Sequence, residues 1–172
     1  MDIEFIVPGA AMGKQRPRFV RRGKFVSTYT PQETKNYQKQ VLISYNKVAR
    51  GKKLFGSIKA DVCAIYEPPK SVSKKTKEKM LNGEIPYTKK PDVDNILKSV
   101  CDALNEVSYD DDAQIDKATI SKVYGEKAMC QVRLSDSKHA VKPFIKIKKD
   151  KKNNEWKFGN CLWHKSNVYW CL

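Results

Sequence analysis

Two clusters of carboxylates, with a lone Asp between them, carry the chemical potential of this sequence. Asp92 and Asp94 open the segment Lys90-Pro91-Asp92-Val93-Asp94-Asn95-Ile96-Leu97-Lys98, Asp102 and Asn105 follow, and Tyr109-Asp110-Asp111-Asp112-Ala113-Gln114 brings three acids in a row. Residues 92–116 hold eight Asp/Glu and a single base, Lys98, whereas residues 1–90 hold 20 Lys/Arg against 7 Asp/Glu. An acidic island inside a basic protein repels the polyanion that the rest of the chain would attract, unless a cation neutralises it. Oxygen ligands of this kind suit Mg²⁺ or Mn²⁺, and the spacing matches neither an EF-hand loop nor a P-loop. The two histidines, His139 and His164, lie far down the chain, which argues against a histidine general base.

The elements that must position these residues can be read from periodicity. Val93, Ile96, Leu97, Val100, Cys101 and Leu104 recur at helical spacing, which predicts a helix over about 92–106 with those residues buried. Asp94, Lys98, Asp102 and Asn105 then share the opposite face. Carboxylates at a helix start are also favoured by free N–H groups and by the helix dipole, and an Asp94–Lys98 pair would be worth ~0.2–0.5 kcal/mol. Spacing alone does not decide between simple capping and a site.

The remaining chain predicts a strand at Ile3, Phe5 and Val7, then a loop or loose hairpin over 9–29 around Arg22-Gly23-Lys24. Thr30-Pro31-Gln32-Glu33 reads as a capping box for a helix to about Ala49. Ile58 to Tyr66 alternates as a strand, and 71–81 is a short Lys-rich helix. Strands are expected at 115–124 and 128–134, with Gly125-Glu126-Lys127 as the turn between them. The expected fold class is α+β or mixed α/β: a small single domain, 1–134, with a mixed β-sheet flanked by helices. Residues 135–172 are set apart as an extension carrying nine Lys and all three Trp, either a solvated tail or a nucleic-acid contact.

Composition narrows the function. The formal net charge is +15 with a pI near 9.6, which favours a polyanionic partner. Candidate backbone contacts are Lys14, Arg16, Arg18, Arg21, Arg22 and Lys24, then Lys70, Lys74, Lys75, Lys77 and Lys79, then Lys89 and Lys90. No apolar run approaches the roughly 20 residues of a membrane span, and Met1-Asp2-Ile3-Glu4 lacks a signal-peptide core, so the expectation is a cytoplasmic protein. Five cysteines without a CxxC pair read as reduced, buried apolar side chains.

The pattern Asp92-Val93-Asp94-Asn95, Lys98, Asp102-Ala103-Leu104-Asn105, Asp111-Asp112-Ala113-Gln114 resembles the RusA family of Holliday-junction resolvases, over roughly residues 1–134. The stretch Gly13-Lys14-Gln15-Arg16-Pro17-Arg18-Phe19 looks like the phage and prophage branch of Gram-positive bacteria. The resemblance implies a homodimeric, Mg²⁺-dependent endonuclease acting on four-way DNA junctions. Asp92, Asp94 and Asp112 would be its metal-site acids, Lys98 its essential lysine, and Asp111 an outer-shell ligand or orienter. Three rivals remain at this stage: a less selective phage nuclease, a non-catalytic nucleic-acid-binding protein, and a metal-binding regulator.

Overall fold

The computed structural model describes residues 1–136, apart from the side chain of Arg22, together with the backbone of 147–149, 156–158 and 161–162. Two compact units divide the chain, Met1–His139 and Ala140–Leu172. In the first, β1 (Asp2–Pro8) is followed by a hairpin of β2 (Arg18–Arg22) and β3 (Phe25–Tyr29), then α1 (Gln32–Ala49) and β4 (Ile58–Tyr66). Next come α2 (Lys74–Leu81), α3 (Val93–Leu104), a single 3₁₀ turn (Asp112–Gln114), β5 (Ile115–Tyr124) and β6 (Met129–Ser135). The described parts of the second unit are three short strands, β7 (Ile147–Lys149), β8 (Trp156–Phe158) and β9 (Cys161–Leu162), paired in that order. Trp163, His164, Trp170 and Cys171 lie outside the described residues.

The main sheet has the order β1-β6-β4-β5. β6 runs antiparallel to both neighbours, while β4 and β5 are parallel, so the sheet is mixed as expected. Register builds the core directly. Ile3 faces Leu134 and Leu134 faces Ala60; Phe5, Val132 and Val62 form the next row; Val7, Cys130 and Ala64 the third. Alternation puts all nine on one face. That face is buried with Tyr37, Val41 and Tyr45 of α1 and Ile96, Val100 and Leu104 of α3 in one core. The opposite face carries Glu4, Arg133 and Asp61 in register and stays largely open. The fold is therefore α+β, with α1 and α3 buried against one face of the sheet.

Three local expectations are corrected. The capping box at Thr30–Glu33 does not form: Pro31 is the N-cap of α1, without a side-chain cap bond, and Glu33 instead accepts from Gln15 Nε2 at 3.0 Å. The 125–128 segment is no hairpin turn, because β4 lies between β5 and β6. There the chain crosses the end of β4, where Gly125 N donates to Tyr66 O at 2.9 Å and an added Cβ would collide with Ile65. In α3, Val93 is 41% exposed, while Ser99 and Ala103 are buried. The apolar stripe thus begins a turn later than spacing suggested.

Cys63, Cys101 and Cys130 are free thiols, the last two buried. Burial, the leading cause for each, pushes both thiols up to about 11. The fold therefore favours the neutral thiol. Its contribution is complete below the unfolded thiol pKa of about 8.5 and is lost as pH rises through the folded value of about 11. We expect the urea midpoint to fall between about pH 8.5 and 11, with a shallower fall in Cys130→Ala. Equal pH slopes for the two proteins would refute a role for this thiol.

Candidate metal and DNA site

Helix α3 carries the first acidic motif, and two tethers fix it. At its start, Lys122 of β5 donates from Nζ to Lys89 O at 2.8 Å and Pro91 O at 2.9 Å, with its ammonium 5.3 Å from the centre of the Tyr87 ring. Tyr87 stacks on Tyr66, with centroids 4.2 Å apart. The Lys90–Pro91 peptide is cis. Near its end, Tyr109 is fully buried and its hydroxyl donates to Cys101 O at 2.8 Å. Ser108 Oγ donates to Leu104 O at 3.0 Å, and Leu54 N to Ser108 O at 2.7 Å. The loop that leads to the second acidic motif is thereby stitched back onto the helix.

The second motif is a capped turn. Asp111 Oδ1 accepts from Ala113 N at 2.7 Å, and Gln114 Oε1 accepts from Asp110 N at 2.8 Å and Asp111 N at 3.1 Å. Gln114 Nε2 donates to Gly56 O at 3.1 Å. The Asp-x-x-Gln capping box thus lies here, and Asp111 orients the turn that presents Asp112. Asp102 and Asp112 both bear on the interior: after burial, their charges help to raise the Cys101 thiol. The Tyr109 hydroxyl is raised too, by burial first, then by Cys101, Asp112 and Asp102.

The acids of the island have different partners. Asp102 is contacted by the Lys14 ammonium and Asp110 pairs with Lys53, while Asp111 is taken up in its cap. Asp92 is the N-cap residue of α3 yet makes no cap bond with its side chain. Among the described residues, Asp92, Asp94 and Asp112 are exposed and accept no side-chain hydrogen bond or ion pair. Glu106 is similarly free, but it sits beyond the helix at φ 64°. Lys98 is exposed and does not pair with Asp94.

No three His, Cys, Asp or Glu side chains converge to a complete ligand group among the described residues. The donor chemistry nonetheless fits a hard cation. It is all oxygen, and three of its carboxylates have open lone pairs. The buried Oδ1 of Asn105, one residue past α3, also lacks a hydrogen-bond partner. Mg²⁺ is commonly held by one or two carboxylates and keeps several waters, so convergence of three side chains is not required.

The basic candidates are dispersed. Arg16, Arg18 and Arg21 are exposed on and before β2, which Arg22 ends; Arg21 Nε donates to Gly23 O at 3.2 Å. Lys74 and Lys75 are exposed in the first turn of α2, and Lys89 and Lys90 are exposed in the connector before α3. Lys14 is drawn onto α3 through Asp102, and its N–H donates to Asn95 O at 2.9 Å. Beside it, a Cβ on Gly13 would come within 2.9 Å of Pro91 Cβ and 3.2 Å of Asn95 Cβ. Sequence reasoning gave no positioning role to Lys122, or to Tyr109 and Gln114 within the acidic motif it quoted. Only Gln114 left a local signal, its position three residues after Asp111.

An acidic helix head and an acidic turn on a small α+β domain with basic surroundings suit an enzyme that hydrolyses DNA. Residues 8–135 match the family model described as Endodeoxyribonuclease RusA. The chain belongs to the RusA family of endodeoxyribonucleases. It is also 38% identical over 138 residues to a protein of Bacillus subtilis (strain 168) described as "Uncharacterized protein YqaN", a match covering 78% of this chain and 96% of that one. No helix among the described residues is long and apolar enough to cross a membrane.

The tether at Lys122 yields a prediction. Lys122→Met keeps the aliphatic stem but frees two carbonyls beside Asp92. DNA cleavage per folded protein should fall about 10-fold or more, the scale seen when a group that orients a metal ligand is lost. The cost in stability should be about 1 kcal/mol. Unchanged cleavage with the same stability loss would make Lys122 purely structural.

Proposed function

We propose that this chain is a Mg²⁺-dependent endonuclease that resolves four-way DNA junctions as a homodimer, cutting symmetrically in recombination or repair. Asp92, Asp94 and Asp112 are its metal ligands, with Mn²⁺ as a substitute ion. The observation that carries the reading is selective: within an acidic island whose other members are largely paired or capped, these three motif acids stay open among the described residues. The family match supplies the reaction class.

Bound there, the ion would supply an acidified water and neutralise charge on the phosphate. The chain's own groups do the rest. N–H groups in the first turn of α3 add positive potential beside the scissile phosphate. Lys98, one turn along from Asp94, stabilises charge that develops on the phosphoryl oxygens. Asp111 and Gln114 hold the turn that orients Asp112. Arg16, Arg18, Arg21, Arg22, Lys74, Lys75, Lys89 and Lys90 hold the DNA backbone, and Lys14 acts through Asp102. Two symmetric nicks need two sites, which a two-fold dimer supplies. The nuclease occupies the 1–134 region, the Lys-rich extension adds backbone affinity, and the protein works in the cytoplasm of a bacterial or phage-infected cell.

Asp92→Asn, Asp94→Asn and Asp112→Asn should each reduce junction nicking to background while junction binding persists. Lys98→Ala should lose about 10²-fold or more in turnover with metal affinity kept. Nicking of a four-way junction and of matched duplex, with mapped cuts, in Mg²⁺ and in chelator, tests the whole reading. Symmetric cuts at the branch support it. Scattered cuts on both substrates would replace it with a less selective, debranching nuclease, and binding without any cutting with a non-catalytic DNA-binding protein.

A further inference from the structure

The β2–β3 hairpin has no part in the cleavage chemistry above. Among the described residues its strands pair only with each other, and all five positions of β3 are exposed. Yet Phe19 is 75%, Phe25 82%, Val26 64% and Tyr29 44% exposed. Aromatic surface left in water is a standing cost, which a binding partner would remove. The segment 15–29 also holds five bases, Arg16, Arg18, Arg21, Arg22 and Lys24, and no Asp or Glu.

The occupant must therefore be anionic and present flat apolar faces. A second copy of the ribbon fails the first condition, since it would set five cations against five. Nucleobases on a phosphate backbone meet both, but only when unpaired, because paired bases hide their faces in the stack. Register sharpens the fit. Arg18 lies opposite Tyr29 on β2 and β3, and Phe25 and Tyr29 share one face of β3, about 13 Å apart at the usual strand rise. Phe19 and Val26 belong to the other face. The root of the ribbon is seated on the head of α3 through Gly13 and Lys14, and a five-residue strand reaches only about 17 Å.

We propose that this ribbon is a base-stacking arm, in which Phe25 and Tyr29, with Phe19 on the reverse face, receive unpaired nucleobases of a DNA branch while the arginines hold the adjoining phosphates. The proposal rests on the endonuclease reading above and names what selects its substrate. The test uses the full chain in chelator, so that nothing is cut. The probes are a four-way junction carrying 2-aminopurine at the branch and a matched duplex. Wild-type protein should change the 2-aminopurine fluorescence. Phe25→Leu, which keeps apolar bulk without a ring, should lose that change and weaken junction binding on the order of 10-fold. Duplex affinity and the salt slope should stay as they were, and Phe25→Trp should restore both junction signals. Equal junction affinity and fluorescence in Phe25→Leu would overturn the arm and leave the nuclease reading intact. So would a shift of Phe25→Leu from dimer to monomer in sedimentation, which would assign the ribbon to contact between copies. A wild-type chain that binds no junction would overturn the nuclease reading and the arm with it.

Discussion

Everything in the candidate site depends on helix α3 being held at both ends by buried or half-buried donors. Lys122 grips the carbonyls just before it, and Tyr109 reaches back to the carbonyl of Cys101. Between these tethers the helix buries Ile96, Val100 and Leu104 in the core and leaves Asp94 and Lys98 outward. A helix of 12 residues has little stability of its own in water, so packing and tethers determine where its carboxylates stand. Lys122 also links the head of α3 to β5, the strand that directly follows the turn of Asp112. The two acidic motifs are therefore parts of one mechanical unit, not independent loops.

The distribution of countercharge is the second organising principle. A chain of net charge +15 has ample cations to neutralise its acidic island, yet it does so selectively. Lys14 and Lys53 meet Asp102 and Asp110, which flank the motif acids. Backbone N–H groups take up Asp111. What is left open has the composition of a hard-cation site. Nearby basic groups that stay exposed, such as Lys89, Lys90 and Arg18, have no ion-pair partner among the described residues and can meet an external anion.

Much of this was legible in the sequence, for identifiable reasons. Alternation at Ile3–Val7 and Ile58–Tyr66 reports strands half-buried on one face, and the structure has them there. The α3 periodicity survives because one stripe of it does face the core, although Val93 in its first turn is 41% exposed. Neighbour relations were not legible. Chain proximity favours pairing β5 with β6, but burial favours β4 between them, since its alternate residues are buried from end to end. The capping box followed the same pattern: a matching motif at Thr30 was pre-empted when Gln15 took Glu33, and the working box formed at Asp111. The three motif acids could be named from spacing and resemblance. The tethers could not, because Lys122 reads as one more surface lysine until the strand that carries it is placed.

The parallel pairing of β4 with β5 also dictates when the site can exist during synthesis. All the motif acids have been made once residue 112 is added, but the lysine that fixes the helix head arrives only at 122, and the strand that joins β1 to β4 only at 129–135. β5 must find a partner more than 50 positions upstream, a long closure that forms slowly compared with local helix. A ribosome-bound fragment thus carries the carboxylates without the frame that aligns them. Maturation is late and cooperative, and a chain able to break DNA gains that ability only when its sheet is finished.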